Sequence, residues 1–366
     1  MQITAVSAYA VDLRLAEGSY SWNTQSFPSF DSTVVVVETD VGLTGYGEIC
    51  PLGPGYMPSF AEGARAAMPI LAEALLGADP TKPHVVAALM ATALKGHPYA
   101  KSALDLAIWD LAGKAAGVPV STLLGGAYRD RVRLFRVISR DEPTVMVERL
   151  LEARGRGFKQ YQMKVGTGVA EDLARIHAVT AALVDGEVLA ADANTAWSRH
   201  EAMEIAAAVG DLSLAIEQPC LRYDECLALR PHLRRPLILD EVMDSRDAIR
   251  QGAADGAMDI INLKISRFGG LTGAAKTRDL CLDLGITMTI EDTWGGEIAT
   301  AAIAHLAAAT PEHAHFQSSA FHDYHTNPIA SGGPIVADGQ MSVPAGPGLG
   351  VEPLPEALAN QLFRVG

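Results

Sequence analysis

The chain has 366 residues, 49% of them hydrophobic and 20% charged, a composition that excludes a disordered polypeptide and supplies enough apolar surface for a large core. Its 43 Asp+Glu against 29 Lys+Arg give a net charge of −14, which argues against an extended nucleic-acid surface and against adhesion to anionic membranes. An anionic small molecule can still bind wherever a site carries its own cations. Four cysteines, Cys50, Cys220, Cys226 and Cys281, are too few and too scattered for a disulfide framework or a paired-cysteine zinc site, which points to a reducing compartment. The first residues carry no basic segment followed by an apolar one, and no stretch approaches about 18 uninterrupted apolar residues. The expectation is a cytoplasmic protein that neither spans a membrane nor binds nucleic acid.

Residues 1 to about 125 read as an α+β unit. Loose alternation over 3–15, the β-branched run TVVVVE at 33–38 and the glycine-bounded segment 42–47 predict antiparallel strands. Between the first two, residues 17–30 are polar, aromatic and longer than a hairpin needs, which suggests a lid or an excursion. Helical periodicity follows from 61 to about 116, ends in AKSALDLAIWDLAGKAAG, and is stopped by Gly117-Val118-Pro119. His97, preceding Pro98, reads as a helix-start residue rather than a catalyst. After LLGG at 123–126, short apolar runs at 132–138, 160–165, 188–191, 214–217, 237–240, 259–264, 286–290 and 315–318 alternate with helical patterns such as 144–154, 200–209 and 245–251. Eight such alternations predict a parallel barrel over 126–332. An open doubly wound sheet is the runner-up, but no GxGxxG follows a strand, so nucleotide binding has no support. The Gly- and Pro-rich tail, about 333–366, predicts a strand pair and an extension returning to the N-terminal unit.

Five polar residues stand at the ends of the predicted barrel strands: Lys164, Asp192, Glu217, Asp240 and Lys264. The last four follow one another at intervals of one βα unit, which places them around one barrel mouth, the face where such barrels keep their sites. One acidic residue at a strand end is usually a helix cap or a solvated loop residue. Three in register with two lysines are not explained that way. Three carboxylates on separate strands suit a hard divalent ion, Mg²⁺ above all, whereas zinc or copper would call for His or Cys. Near a metal and a second ammonium, a lysine pKa can fall toward neutrality, which makes both lysines candidate acid/base groups on either face of a metal-bound carboxylate substrate. The metal would stabilise the enediolate left when the α-proton departs. Glu241 is expected to pair with Lys264 and hold its rotamer, and Asn194 to support the ligands from behind. Tyr56, Trp22 and Trp294 suit packing and pocket walls equally. His313 and His315 lack a third partner at ligand spacing.

These motifs resemble the enolase superfamily, of the muconate lactonizing enzyme type, over essentially the whole chain. The resemblance rests on ALDLAIWDLAGKAAGVPVSTLLGG, YQMKVG with Lys164, ADAN with Asp192, IEQPC with Glu217, LDE with Asp240, and NLKISRFGGLTGA with Lys264. It implies an α/β fold, a modified TIM barrel (β/α)7β under an N-terminal α+β capping domain. It also implies one Mg²⁺ on Asp192, Glu217 and Asp240, Lys164 and Lys264 as the acid/base pair, and dimers or octamers. The seventh strand ends in TIEDTWGG, so the His–Asp dyad of some members is absent. Gln162 stands where many members carry the first lysine of Lys-x-Lys, which makes the site less cationic and suits a substrate that brings its own positive nitrogen. With CPLGPGYMPSFAEGARA, EDTWGGE and PAGPGLG, this resembles the branch acting on proline derivatives, cis-3-hydroxy-L-proline dehydratases and proline-betaine 2-epimerases. Asp292 then becomes a candidate partner for the ring nitrogen, with Tyr56 and Trp294 as walls. The implied reaction is dehydration of cis-3-hydroxy-L-proline, with epimerisation or racemisation of proline derivatives as the alternative. An acid-sugar dehydratase would call for His or Arg at the barrel ends, and a non-catalytic scaffold for loss of a lysine.

Overall fold

The computed structural model describes residues 1–22 and 25–366, without the side chains of 21, 22 and 25, so Trp22 lies outside the described side chains. Strand Ser29–Thr39 sits inside an antiparallel sheet because its valines serve two cores. Val35 and Val37 pack with helices Ala61–Leu75 and Pro98–Ala116, while Val34, of opposite parity, packs with the barrel. Ile3–Arg14 and Thr44–Ile49 flank it, and the C-terminal strand Gln361–Val365 pairs with the outer edge of Ile3–Arg14. The tail thus returns to the first sheet.

Helix Pro98–Ala116 is buried along most of its length, which explains a sequence without a clean polar face. Its two buried carboxylates are fully engaged. Asp105 accepts from the Thr272 N–H and hydroxyl, and Asp110 from the N–H groups of Tyr46 and Leu349. The helix starts after His97, at φ 52°, with Pro98 in its first turn, and ends at Gly117 in the left-handed region. Strand Thr44–Ile49 approaches this helix so closely that a Cβ on Gly47 would lie 1.8 Å from the Ala103 carbonyl oxygen.

The barrel has eight parallel strands: Phe135–Ile138, Gln160–Lys164, Val188–Asp192, Ala215–Glu217, Leu237–Leu239, Ile260–Lys264, Thr287–Glu291 and His315–Ser318, numbered one to eight below. A bridge between Leu134 and Ser318 links the first to the last. Seven helices connect them, from Pro143–Gly155 to Glu297–Ala308, and only a 3-10 turn, Phe321–Tyr324, follows strand eight. This is the (β/α)7β arrangement. Strand parity sorts the side chains: Tyr161, Met163, Leu189, Ile216, Leu239 and Leu263 join the main core, while Ala190, Ala215, Ile238 and Ile260 cluster separately inside the barrel.

The expected strand 132–138 is in fact two. Arg131–Arg133 pairs with Gln340–Ser342 in a small antiparallel sheet, and only Phe135–Ile138 enters the barrel. Arg-Val-Arg alternates charged and apolar residues, which suits a sheet with one wet face and not a parallel strand covered on both sides. No helix of the described residues is long and apolar enough to cross a membrane.

Candidate active site at the barrel mouth

Register and parity together build the site. Lys164, Asp192 and Glu217 are lateral neighbours on strands two to four, as are Lys264 and Glu291 on strands six and seven. Each shares the parity of the interior residues below it, so all turn into the barrel, joined by Asp240 at the end of strand five. They line a small cavity that Tyr20 and Tyr56 of the N-terminal unit also line. Glu17 forms an ion pair with Arg136 of strand one and so tethers the segment that carries Tyr20.

Every carboxylate there has specific partners. Lys164 Nζ donates to Asp192 Oδ2 at 2.5 Å, and the Asn194 N–H to Asp192 Oδ1 at 2.8 Å. Gln162 Nε2 donates to both oxygens of Glu217, at 2.8 and 3.0 Å, and Asn262 Nδ2 adds a bond of 2.7 Å. Asp240 Oδ2 accepts from the Tyr56 hydroxyl and from Lys264 Nζ, both at 2.9 Å. Lys264 also donates to Glu291 Oε1 at 2.5 Å. Arg267 lies 2.9 Å from Asp240 Oδ1 and donates to its backbone carbonyl at 2.7 Å.

The charges follow from this crowding. Burial, and then the charge of Asp192, push the Glu217 carboxyl well above its usual range. Burial acts on Asp240 in the same sense, but Lys264 and Arg267 outweigh it and hold that group low. Burial alone would depress the lysines. Asp192 overrides it at Lys164, and Asp240 with Glu291 at Lys264, so both ammonium groups are stabilised. The lowered lysine pKa expected beside a metal and a second ammonium is not what the carboxylates alone produce: the charges nearest both lysines here are anionic.

Two further expectations change. Glu241 does not pair with Lys264. It follows the inward-facing Asp240, takes the opposite parity, and accepts from Asn194 Nδ2 at 3.2 Å, while Glu291 holds the lysine. Trp294 is no wall: it is 1% exposed, stacks on Phe321 with centroids 4.5 Å apart, meets Tyr20 edge-on at 4.8 Å, and donates its N–H to His325 Nε2 at 2.7 Å. Asp292 lines the cavity, yet its oxygens already accept from Ser266 and from the Thr293 N–H. Tyr56 does line the cavity. Sequence reasoning missed Glu291, although strand parity counted from Thr289 selects it. It also missed Tyr20, for which an irregular lid segment offers no periodic signal.

Among the described residues no three carboxylate, imidazole or thiol groups converge into a ready-made cation cage, because ammonium groups take up the oxygens. The donor set nevertheless fits a hard divalent cation. Glu241 Oε2 is buried without a hydrogen bond, Asp240 Oδ1 is met only by the Arg267 guanidinium, and Glu217 is destabilised by burial and by its anionic neighbours. A cation among Asp192, Glu217 and Asp240 would relieve the crowded Glu217 charge.

A lysine on either side of a carboxylate cluster, at the mouth of a capped (β/α)7β barrel, defines an enolase-type enzyme. The Mandelate racemase / muconate lactonizing enzyme, N-terminal domain, matches residues 19–125, and the Enolase C-terminal domain-like family matches 145–357. The chain belongs to the mandelate racemase/muconate lactonizing enzyme family of the enolase superfamily. It is 48% identical over 365 residues, 100% of both chains, to a cis-3-hydroxy-L-proline dehydratase from Roseibium aggregatum. It is 31% identical to a hydrophobic dipeptide epimerase from Enterococcus faecalis, over 96% of this chain and 99% of that one. Among solved structures, a family member from Roseovarius nubinhibens complexed with magnesium superposes with a TM-score of 0.96 at 34% identity, covering 100% of both chains.

Proposed function

We propose that this enzyme is a hydro-lyase that converts cis-3-hydroxy-L-proline to Δ1-pyrroline-2-carboxylate. The observation that carries it is the placement of Lys164 and Lys264 on strands two and six, diametrically opposed in an eight-stranded barrel, both reaching one cavity. In this substrate the 3-hydroxyl is cis to the carboxylate, so it lies on the face opposite the Cα hydrogen. Elimination then needs a base on one face and an acid on the other. One lysine, as the amine, takes the Cα proton. The other, as the ammonium, gives its proton to the 3-hydroxyl as the C3–O bond breaks, releasing water and a C2=C3 enamine that tautomerises to the cyclic imine.

Asp192, Glu217 and Asp240 would hold one Mg²⁺, with Asn194 and Glu241 behind them. Bound there, the ion would supply Lewis-acid stabilisation of the charge that builds on the substrate carboxylate, and carboxylates engaged with it would hold the lysine protons less tightly. We assign the ring ammonium to Glu291 and Asp292, with Tyr56 and Tyr20 excluding water. Epimerisation of proline derivatives uses the same pair of lysines, and relatives named as epimerases support it as the second reading. The remaining parts of the proposal are a cytoplasmic homo-oligomer, dimer or octamer, supported by four free buried cysteines and by exposed Ile70, Val85 and Leu89 on the helical face. Incubation of the Mg²⁺-loaded protein with cis-3-hydroxy-L-proline tests the reaction. Mass-spectrometric loss of one water supports it, and an intact or merely epimerised substrate contradicts it.

A further inference from the structure

Strand four ends in Glu217-Gln218-Pro219. Its ladder with strand five carries backbone rungs from the Ile216 N–H to the Pro236 carbonyl and from the Gln218 N–H to the Ile238 carbonyl, both at 3.0 Å. In a parallel ladder the next rung would join the Asp240 N–H to the Gln218 carbonyl. That rung is replaced. Gln218 turns into the left-handed region at φ 31°, and its carbonyl accepts instead from the Thr195 N–H, in the loop after strand three, at 2.9 Å. Pro219, which has no N–H, cannot carry the ladder toward strand three any further. The Asp240 N–H is taken by the Gln218 side chain, whose Oε1 accepts at 2.8 Å while its Nε2 donates to the Cys220 carbonyl at 2.9 Å. Gln218 is fully buried, so bulk water does not compete for these bonds. Backbone strain gathers at the same place: among the described residues five non-glycine residues have a left-handed φ, and three of them, Asn194, Thr195 and Gln218, follow closely on Asp192 or Glu217. Such states persist where the surrounding structure enforces them, and they cluster at functional sites.

We propose that Gln218 is a positioning residue that sets the separation of Glu217 from Asp240 and so makes the site select Mg²⁺ over the larger Ca²⁺. Glu217 directly precedes Gln218, and the Asp240 backbone is held by the end of the Gln218 side chain, so one residue positions both carboxylates. A backbone rung would hold the two strand ends at the ordinary spacing of about 4.8 Å. A carboxamide in its place makes that spacing a property of this side chain's length, and the bond to the Cys220 carbonyl fixes the amide's orientation. Mg²⁺ demands near-octahedral oxygens at about 2.0–2.1 Å, whereas Ca²⁺ accepts irregular sets at about 2.3–2.6 Å. A rigid separation therefore favours the smaller ion, and a loosened one costs it more. The inference rests on the magnesium reading above.

The test is calorimetric titration of the full-length wild type, Gln218→Gly and Gln218→Glu with Mg²⁺ and, separately, with Ca²⁺. The readout is the ratio of the two affinities, from which any change common to both ions cancels. Glycine suits the left-handed turn, so Gln218→Gly keeps the backbone path and removes only the side chain that holds Asp240. Its preference for Mg²⁺ over Ca²⁺ should fall roughly tenfold. Gln218→Glu retains an oxygen to accept the Asp240 N–H and should keep the wild-type ratio. A Gln218→Gly protein that discriminates as well as wild type overturns the role of Gln218 and leaves the magnesium reading standing, as does a Gln218→Glu protein that discriminates no better than Gln218→Gly. A wild type that binds Mg²⁺ without preferring it to Ca²⁺ overturns the selection, and a wild type that binds neither ion overturns the magnesium reading and the selection together.

Discussion

Lys264 shows how much of the chemistry rests on single side chains. It donates to Asp240 and to Glu291, so it is buried among anions that fix both its charge and its rotamer. Lys164 stands likewise against Asp192. Replacing either lysine with alanine should cut turnover roughly 10³-fold while circular dichroism keeps the native spectrum; activity retained in either variant would remove that lysine from the reaction. Asp240→Asn should weaken Mg²⁺ binding roughly tenfold or more, measured calorimetrically. These positions were legible because a charged residue ending an apolar strand is anomalous, and the anomaly recurs once per βα unit. Glu241 was misread for a related reason: adjacency to Asp240 in sequence puts it on the opposite side of the strand. Glu291 and Asp292 are likewise neighbours, and of the two it is Glu291, sharing the parity of Thr289, that reaches Lys264.

At the scale of elements, Glu48 joins the two halves of the molecule. It leaves the N-terminal sheet to accept from the N–H groups of Gly296 and Ala299, at 2.7 and 2.9 Å, in the first turn of helix Glu297–Ala308, with the Ser32 hydroxyl at 2.8 Å. Burial outweighs these donors and pushes its pKa from 4.5 up to about 7. The folded state therefore holds the Glu48 proton more tightly than the unfolded chain. The stability this contributes is fully present below about pH 4.5 and is lost as the pH rises to about 7, a change of roughly 3 kcal/mol. Glu48→Gln should remove that loss: denaturant unfolding at pH 4 and pH 8 should show wild type falling relative to the variant as pH rises, and a constant difference would contradict the account. No sequence pattern announced this contact, because GEIC reads as the end of an ordinary strand. The barrel strands were legible from their apolar runs and the helices from their period. The split at Leu134 was not, because one β-favouring run spans two sheets whose separation depends on the distant strand Gln340–Ser342.

At the scale of the whole molecule, the site exists only where the two halves meet. The barrel contributes the lysines and carboxylates, the N-terminal unit covers them with Tyr20 and Tyr56, and the tail strand Gln361–Val365 ties the chain's end back to its beginning. Sequence motifs specified the barrel's share, since it hangs on regular strands. The lid's share lay in irregular segments, where neither period nor spacing constrains which side chain turns inward. The central claim is proton removal from Cα by a lysine pair, and deuterium uptake tests it most directly. The Mg²⁺-loaded protein would be incubated in D₂O separately with cis-3-hydroxy-L-proline, L-proline and proline betaine, and the Cα–H signal followed by proton NMR. The account predicts loss of the cis-3-hydroxy-L-proline spectrum as the pyrroline-carboxylate grows, in wild type and in neither lysine variant. Cα–H signals that persist unchanged with all three compounds would contradict it.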